Sequence, residues 1–348
     1  MRLASAAILA WLASAGAYGQ PYTIDTFTGG GTVGLHGPQS VAADSAGNVY
    51  FATQDNIVMR ADASKGAPAA AAGSGSAGFS GDGGPAAQAR LRNPTGVAVD
   101  AGGNLYIADT DNNRVRKVSG GVITTVAGGG NLLGDNGQAT KAQLHSPTGV
   151  AVDSAGNIFI ADSGDNRVRK VNAKGVITTV AGTGSPTPAY GGDNGPATSA
   201  QLNNPYSVAL DAAGNLYIAE LGDDRVRKVA GGVITTVVGN GVQGYGGDGG
   251  PATGAKLCNP YEVAVDTAGS LYIADFCNAR IRKVASGTIT TIAGTGTAGF
   301  SGDKGPAGEA QLTIPEGVAV DASGRVYVAD TGNDRIRVLT PAAGKSGQ

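Results

Sequence analysis

The sequence has few of the residues from which most catalytic and metal centres are built. Its 348 residues include two His, two Cys, two Met and one Trp, and only 5% are aromatic. No Ser/His/Asp, Cys/His or His-rich combination stands out. The charge is nearly balanced, with 25 Lys and Arg against 27 Asp and Glu. The basic residues are spread evenly over the chain, so we expect no nucleic-acid partner.

Long hydrophobic runs are absent beyond the N-terminus. Met1 and Arg2 precede an apolar run that extends from Leu3 to about Ala13, and small residues follow as far as Gly19. This pattern predicts a signal peptide over residues 1–19, cleaved after Ala17 or Gly19. The run is too short to span a bilayer. We therefore expect a secreted or periplasmic protein that does not span the membrane.

Glycine, in contrast, is abundant: 59 of 348 residues, or about 17%, against a usual share of about 7%. Collagen is excluded because glycine does not recur at every third position. A hydrophobic share of 41% with a net charge of −2 argues against disorder. Long helices are excluded because glycine and proline would interrupt them every few residues. A turn-rich β fold remains.

The chain consists of six related segments, each with a proline followed by a V-A-V-D-type strand. A representative copy, NPTGVAVDAGGNLYIADTDNNRVRKV, begins at Asn93. Each copy contains four strand patterns, and a D-x-x-G-N turn joins the first two. Four short antiparallel strands repeated six times predict an all-β, six-bladed β-propeller. The entry prolines lie 53 to 58 residues apart, at Pro38, Pro94, Pro147, Pro205, Pro260 and Pro315.

The two chain ends favour a closed ring over its rival, an open superhelical solenoid. The last copy stops after its third strand, at Leu339, whereas TIDTFTGGG from Thr23 matches the fourth-strand segment VITTVAGGG from Val122. We therefore predict that the N-terminal strand completes the last blade, which removes free sheet edges. One domain over residues 20–340 accounts for this pattern, with a C-terminal tail at 341–348.

The motif V-A-V-D…G-N-L-Y-I-A-D…N-x-R-[VI]-R-K recurs five times in register, and it resembles the NHL repeat. This resemblance covers essentially the whole chain after the signal peptide and implies a six-bladed propeller. The first copy departs from the motif, because Thr53 replaces the acid that ends the second strand and the arginine pair is missing.

An acid ends the second strand of the other five copies and precedes an arginine by five residues. We expect structural ion pairs that brace the turn between the second and third strands. The expected pairs are Asp109–Arg114, Asp162–Arg167, Glu220–Arg225, Asp275–Arg280 and Asp330–Arg335.

Five long Gly-rich linkers, between the fourth strand of one blade and the first strand of the next, each contain an aspartate. Turn capping is the favoured role of these residues, Asp82, Asp135, Asp193, Asp248 and Asp303. An A-x-x-A-x-L stretch follows and predicts one helical turn whose Leu packs on the ring.

The residues that break the repeat are the candidates for specificity. In an up-and-down blade, the linkers and the turns between second and third strands lie on one face, together with the mouth of the channel. The positions after the entry proline hold Tyr206, Tyr261, Glu262, Glu316 and Gln39, where other blades have small residues. We predict that these five form a binding patch near the channel mouth.

Two residue sets could hold a metal or form a disulfide. Enzymes on related six-bladed propellers generally bind a metal in the channel. His36, His145 and Cys258 share one repeat position, but they belong to alternate blades and are therefore far apart. We expect neither a metal nor another cofactor.

Cys258 and Cys277 lie on one face of blade 5 and are predicted to form a disulfide. Closing 18 residues would stabilise the chain by about 3 kcal/mol.

These observations predict a non-catalytic extracytoplasmic binding or scaffold module. It would be a monomer that presents a loop-rich face to a protein, peptide or glycan partner. The alternative is a propeller enzyme, a lyase or hydrolase acting at the channel mouth through Glu262 and Glu316, because paired carboxyl groups can perform acid–base chemistry.

Overall fold

A computed structural model describes residues 22–31, 35–64, 67–187 and 189–342. The predicted signal peptide and nearly all of the predicted tail lie outside these residues. Six antiparallel sheets surround a central channel, and their first strands contact one another in a closed ring. The predicted six-bladed propeller is therefore confirmed. No helix in the described ranges is long and apolar enough to cross a membrane.

The strands follow the six sequence copies. After β1 (Tyr22–Gly29), blade 1 contains β2 (Pro38–Ala43), β3 (Val49–Thr53), β4 (Ile57–Ala61) and β5 (Ala69–Ala72). Blade 2 contains β6 (Pro94–Val99), β7 (Leu105–Asp109), β8 (Arg114–Ser119) and β9 (Val122–Gly128). Blade 3 contains β10 (Pro147–Val152), β11 (Ile158–Asp162), β12 (Arg167–Val171) and β13 (Ile177–Ala181).

The second half of the ring repeats the arrangement. Blade 4 contains β14 (Pro205–Leu210), β15 (Leu216–Glu220), β16 (Arg225–Ala230) and β17 (Val233–Val238). Blade 5 contains β18 (Pro260–Val265), β19 (Leu271–Asp275), β20 (Arg280–Ala285) and β21 (Thr288–Ala293). A two-residue strand, β22 (Gly305–Pro306), precedes β23 (Pro315–Val320), β24 (Val326–Asp330) and β25 (Arg335–Pro341) of blade 6.

Strand β1 completes blade 6, as the chain ends predicted. It pairs antiparallel with β25, from Tyr22 opposite Pro341 to Gly29 opposite Arg335. The blade joined by the two ends therefore has its full set of strands.

The turns between first and second strands form as the D-x-x-G-N pattern predicts. In blade 2, Asp100 Oδ1 accepts hydrogen bonds from the backbone N–H groups of Gly102 and Asn104, both at 2.9 Å. Gly103 has a φ of 77°, a conformation that glycine adopts without strain. The abundance of glycine thus reflects turns of this kind.

The hydrophobic core lies between the faces of neighbouring blades. The core between blades 1 and 2, for example, contains Tyr50 and Val58 from one blade and Leu105 and Ile107 from the other. Linker leucines complete these layers and are at most 2% exposed, at Leu91, Leu144, Leu202, Leu257 and Leu312. Burying each such leucine contributes about 1.5–3 kcal/mol.

Short 3₁₀ turns form where the sequence predicts single helical turns in the linkers. They comprise Ala86–Gln88, Ala139–Lys141, Ala197–Ser199, Ala252–Gly254 and Ala307–Glu309. Four more follow the second strands, at Thr110–Asn112, Ser163–Asp165, Phe276–Asn278 and Thr331–Asn333.

The middle of each long linker pairs with the fourth strand of the following blade. In blade 2, Gly83 N–H donates to Ile123 O at 2.8 Å, and Ile123 N–H donates to Gly84 O at 3.1 Å. The equivalent segment in blade 6 is β22, which pairs with β1. The linkers therefore cover the outer blade edges, which would otherwise offer unpaired backbone groups. This part of each linker is not a free loop over the channel.

The acid that ends each second strand pairs with a different arginine from the expected one. Asp109 is fully buried and lies 3.2 Å from Arg116, seven residues later, which is also fully buried. Arg114 lies at the partly exposed start of the third strand and donates to Asn112 O at 2.7 Å. The observed pairs are Asp109–Arg116, Asp162–Arg169, Glu220–Arg227, Asp275–Arg282 and Asp330–Arg337.

The prediction was therefore wrong about which arginine forms the pair. This correction applies to Arg114, Arg167, Arg225, Arg280 and Arg335. An arginine without access to water needs acceptors inside the protein, whereas one at a strand start can reach solvent and backbone carbonyls. The acid does brace the turn, but through a neighbouring amide: Asn112 Nδ2 donates to both oxygens of Asp109 at 2.9 Å.

The linker aspartates are second partners of the same buried arginines. Asp82 Oδ1 lies 2.7 Å from Arg116 Nη2, and its Oδ2 accepts from Thr125 Oγ1 at 2.7 Å. The other pairs are Asp135–Arg169, Asp193–Arg227, Asp248–Arg282 and Asp303–Arg337. These aspartates therefore hold the linkers on the blades, which differs from the turn capping favoured by the sequence.

Candidate binding site at the channel mouth

The residues at the two positions after the six entry prolines line one cavity at the end of the channel, two from each of blades 1 to 5 and one from blade 6. A regular strand would point them to opposite faces, but the pairing of each first strand with its second strand shifts at this point. The lining includes all five residues of the predicted patch, which are Gln39, Tyr206, Tyr261, Glu262 and Glu316. Ser40, Thr95, Thr148 and Ser207 also contribute.

The cavity is narrow because the first strands lie very close together. A Cβ atom on Gly96 would be 2.3 Å from Thr148 O, and one on Gly149 would be 2.6 Å from Tyr206 O. The space open to the centre of a water molecule is about 20 Å³, which suffices for about one water. A sugar ring or a similar substrate does not fit between these groups.

Hydroxyl groups connect the blades on one side of the mouth. Thr95 Oγ1 donates to Thr148 O at 2.8 Å, and Thr148 Oγ1 donates to Tyr206 O at 2.7 Å. In the turns behind them, Thr110 Oγ1 donates to Pro147 O at 2.8 Å. Blades 2 and 3 are thus tied to their neighbours by small polar side chains.

Glu262 spans the opposite side and joins blade 5 to blades 6 and 1. Ser40 Oγ donates to its Oε1 at 2.6 Å, and the N–H groups of Val318 and Val41 donate to its Oε2 at 2.7 and 3.3 Å. Burial raises the pKa of Glu262 to about 8, although these hydrogen bonds favour the ionised form. Both carboxyl oxygens are occupied, so Glu262 acts as a tie across the ring.

Glu316 has a different environment from Glu262. The residue is 8% exposed, and its buried Oε2 has no hydrogen-bond partner in the described structure. Burial raises the pKa of Glu316 to about 7. Gln39, on the adjacent blade, likewise has a buried Oε1 that lacks a partner among the described residues.

An aromatic row extends outward from the mouth. The ring centroids of Tyr206 and Tyr261 are 4.4 Å apart, and those of Tyr261 and Phe276 are 4.7 Å apart with nearly parallel planes. Burial and the nearby Tyr261 raise the pKa of Tyr206 well above its ordinary value. Sequence reasoning missed Phe276, although the equivalent turn position holds Thr110, Ser163 and Thr331 in blades 2, 3 and 6 and Leu221 in blade 4.

The linker aromatics lie away from this row. Phe79 packs against Arg114, with the guanidinium carbon 3.9 Å from the ring centroid. Tyr245 packs in the same way on Arg280 at 3.8 Å. These rings are nearly half exposed, but each covers an arginine of its own blade, which gives them a structural role.

The remaining candidate residues do not assemble into a metal centre. His36 lies 3.0 Å from Asp55 and His145 lies 3.4 Å from Asp165, and both histidines are well exposed. Within the described ranges, no group of three or more His, Cys, Asp and Glu side chains could hold a metal ion.

Cys258 and Cys277 are neighbours, and no bond joins their sulfur atoms in the structure. The N–H of Cys277 donates to Cys258 O at 3.2 Å. Burial and the adjacent Cys277 thiol raise the pKa of Cys258 to about 12. The predicted disulfide stays a prediction.

Comparisons with known proteins agree with this architecture. The fold and the polar channel mouth place the protein in the class of six-bladed propellers with four-stranded blades. A family model described as the NHL repeat matches residues 91–118 and 312–339, and one described as the teneurin NHL domain matches residues 130–189. The chain therefore belongs to the NHL-repeat propeller proteins.

Relatives and solved structures match most of this chain. Human teneurin-1 is 31% identical over 278 residues, which cover 68% of this chain but only 10% of teneurin-1. An auxiliary nutrient binding protein from Bacteroides thetaiotaomicron superimposes with a TM-score of 0.66 at 15% identity, covering 92% of this chain and 77% of that one. Virginiamycin B lyase from Staphylococcus aureus gives 0.53 at 13% identity, covering 92% and 99%.

Proposed function

We propose that this protein is a non-catalytic, extracytoplasmic binding module that holds a protein, peptide or glycan on the channel-mouth face. The observation that carries the proposal is the departure from repetition at the mouth. Blades 4, 5 and 6 contribute two tyrosines and two glutamates there, with Phe276 stacked on Tyr261, whereas blades 2 and 3 contribute small residues. A rigid ring with one distinctive patch is suited to recognition.

The remaining surface supports this location. The long linkers are bound to blade edges, and their aromatic rings cover arginines of the same blade. The mouth, in contrast, combines a partly exposed aromatic row with polar groups. Tyrosine and phenylalanine supply contact area at low entropic cost, which favours them in binding surfaces. The N-terminal signal pattern supports export. We also propose that the protein is a monomer.

A binding screen with matched tyrosine variants tests the proposal. Glycan and peptide arrays would be probed with the wild-type protein, with Tyr261→Ala at the mouth and with Tyr245→Ala in a linker. We expect a ligand whose affinity falls at least about tenfold in Tyr261→Ala, as for a central aromatic contact, and stays within about twofold in Tyr245→Ala. Equal losses in both variants, or loss only in Tyr245→Ala, would contradict the location.

The alternative function is a lyase or hydrolase that uses Glu262 and Glu316. Both carboxyl groups line one cavity and have raised pKa values, as acid–base catalysts often do. The small volume of the cavity and the three hydrogen bonds to Glu262 disfavour an enzymatic function. An activity screen on polysaccharides and lactones with the wild type and Glu316→Gln separates the two. If the wild type turns over a substrate and Glu316→Gln does not, the enzymatic function replaces the binding proposal.

A further inference from the structure

The mouth cavity presents acceptors without donors to match them. Glu316 Oε2 and Gln39 Oε1 are buried and lack hydrogen-bond partners within the described part of the chain. They belong to the same repeat position of adjacent blades, and both residues line the cavity. An unpaired buried acceptor costs about 1–3 kcal/mol, and more if it is charged. The arrangement therefore favours a ligand that donates hydrogen bonds.

The described residues around the cavity also supply no positive charge. They include two glutamates and no Lys, Arg or His. The other polar groups are hydroxyls and one amide, from Gln39, Ser40, Thr95, Thr148, Tyr206, Ser207 and Tyr261. Glu262 already accepts three hydrogen bonds, whereas Glu316 has an oxygen without any. A small cation beside Glu316 would offset the cost of burying its carboxylate.

Size and shape indicate which kind of cation fits. A space for about one water molecule accepts an ammonium group, which has similar dimensions. Divalent metals take more ligands than one free carboxylate oxygen and one amide oxygen supply. The row formed by Tyr206, Tyr261 and Phe276 leads out from this space, and its partly exposed rings offer apolar surface to an alkyl chain.

We propose that the channel mouth binds a primary ammonium group, which donates to Glu316 and Gln39 while its alkyl chain lies along Tyr206, Tyr261 and Phe276. An ammonium group has three donors, which is enough to supply one to each of the two oxygens. The group comes either from a free alkylamine or from a lysine side chain of a peptide. This inference rests on the proposed binding function and specifies the chemistry recognised at the same face.

Calorimetric titration with three probes tests the inference and separates the two sources. The probes are n-butylamine, a blocked tripeptide with a central lysine, and the same peptide with that lysine acetylated. We expect the lysine peptide to bind and the acetylated peptide to bind at least about tenfold more weakly, because acetylation removes the charge. Comparable binding of n-butylamine indicates that the ammonium and its chain suffice. Binding of the peptide alone assigns the site to peptide lysines.

Two variants and one control make the test specific. Glu316→Gln keeps the size of the side chain, and it should weaken the lysine peptide at least about tenfold by removing a charge-assisted hydrogen bond. Glu309→Gln changes a similar but exposed side chain in the preceding linker and should leave affinity within about twofold. Should Glu316→Gln fail to fold, Gln39→Leu provides the same test with an expected loss of about fivefold.

Three outcomes would overturn the inference. They are unchanged affinity in a folded Glu316→Gln or Gln39→Leu protein, equal binding of the lysine and acetyl-lysine peptides, and no saturable binding of any amine probe. An array ligand that still depends on Tyr261 would then leave the proposed binding function intact. If neither amine binding nor a Tyr261-dependent array ligand is found, both proposals are overturned.

Discussion

Arg116 and Asp109 form an ion pair in which neither side chain reaches solvent, with Arg116 Nη1 3.2 Å from Asp109 Oδ2. Asp82, from the preceding linker, lies 2.7 Å from Nη2 of the same guanidinium. One buried arginine thus connects the second strand, the third strand and the linker of its blade. Because the arrangement recurs in blades 2 to 6, it is the main polar element of the scaffold.

Removal of this arginine should destabilise the protein strongly. Arg116→Met leaves Asp109 buried without a positive charge, so we expect the free energy of unfolding to fall by about 3–5 kcal/mol in urea denaturation. Arg114→Met is the matched control, because this neighbouring arginine is partly exposed and stacks on Phe79. Its expected cost is about 1 kcal/mol. Equal losses in both variants would contradict the assigned pairing.

Glu316 should make stability depend on pH. Burial raises its pKa from 4.5 to about 7, so between these values the folded chain binds a proton that the unfolded chain has released. The contribution is complete below about pH 4 and is lost as the pH rises through about 7. Glu316→Gln stays neutral, so its stability relative to the wild type should increase from about pH 4.5 to about pH 8.

Urea denaturation over that pH range measures this difference, with Glu309→Gln as an exposed control whose difference should stay constant. Glu262 also faces the cavity, and the Glu316 charge helps to raise its pKa, so Glu262 contributes to the difference. Tyr206 stays protonated over this range, because its pKa lies well above its ordinary value. If the stability of Glu316→Gln and that of the wild type change in parallel with pH, burial does not raise the pKa of the Glu316 carboxyl group.

Cys258 and Cys277 should form a disulfide in an oxidising compartment. Their thiols are adjacent, and the bond would close 18 intervening residues, which stabilises the fold by about 3 kcal/mol. Intact-mass spectrometry of exported protein, with and without reductant, should show a gain of two hydrogens on reduction. Two free thiols in unreduced exported protein would be the contrary result. A Cys277→Ser variant should lose the mass change and the added stability.

The glycines beside the channel should be intolerant of a side chain. Gly96→Ala would place Cβ 2.3 Å from Thr148 O in the next blade, and the backbone must move to relieve the clash. We expect a loss of about 1–3 kcal/mol in the free energy of unfolding. Gly308→Ala is the control, because no atom of the described residues lies within 4 Å of its Cβ position. If Gly96→Ala leaves the free energy of unfolding unchanged, the first strands pack less tightly than this distance indicates.

The sequence alone predicted the ring and much of its mouth. Repetition revealed the blades, because each copy is too small to bury its own faces and must stack on its neighbours. The match between Thr23 and Val122 likewise predicted closure by the N-terminal strand. Breaks in the repeat located Tyr206, Tyr261 and Glu316, since a position that departs from a structural repeat is free to vary for recognition.

Other features could not be obtained from local spacing. Asp82 and Arg116 are 34 residues apart, and only the folding of the linker onto the blade brings them together. The contact between Ser40 and Glu262 spans 222 residues and depends on ring closure. Phe276 was missed because its turn was considered only for its neighbouring cysteine. Comparison of that turn position across blades would have identified it.

Hydrogen exchange in the presence of an array-identified ligand tests the central claim, that the channel mouth is the binding site, most directly. We expect added protection in the segments around residues 204–207, 259–262 and 276–279. We expect no change in the linker segments around residues 79–84 and 245–250, which lie on the outer blade edges. Protection confined to those linkers, with the mouth segments unchanged, would contradict it.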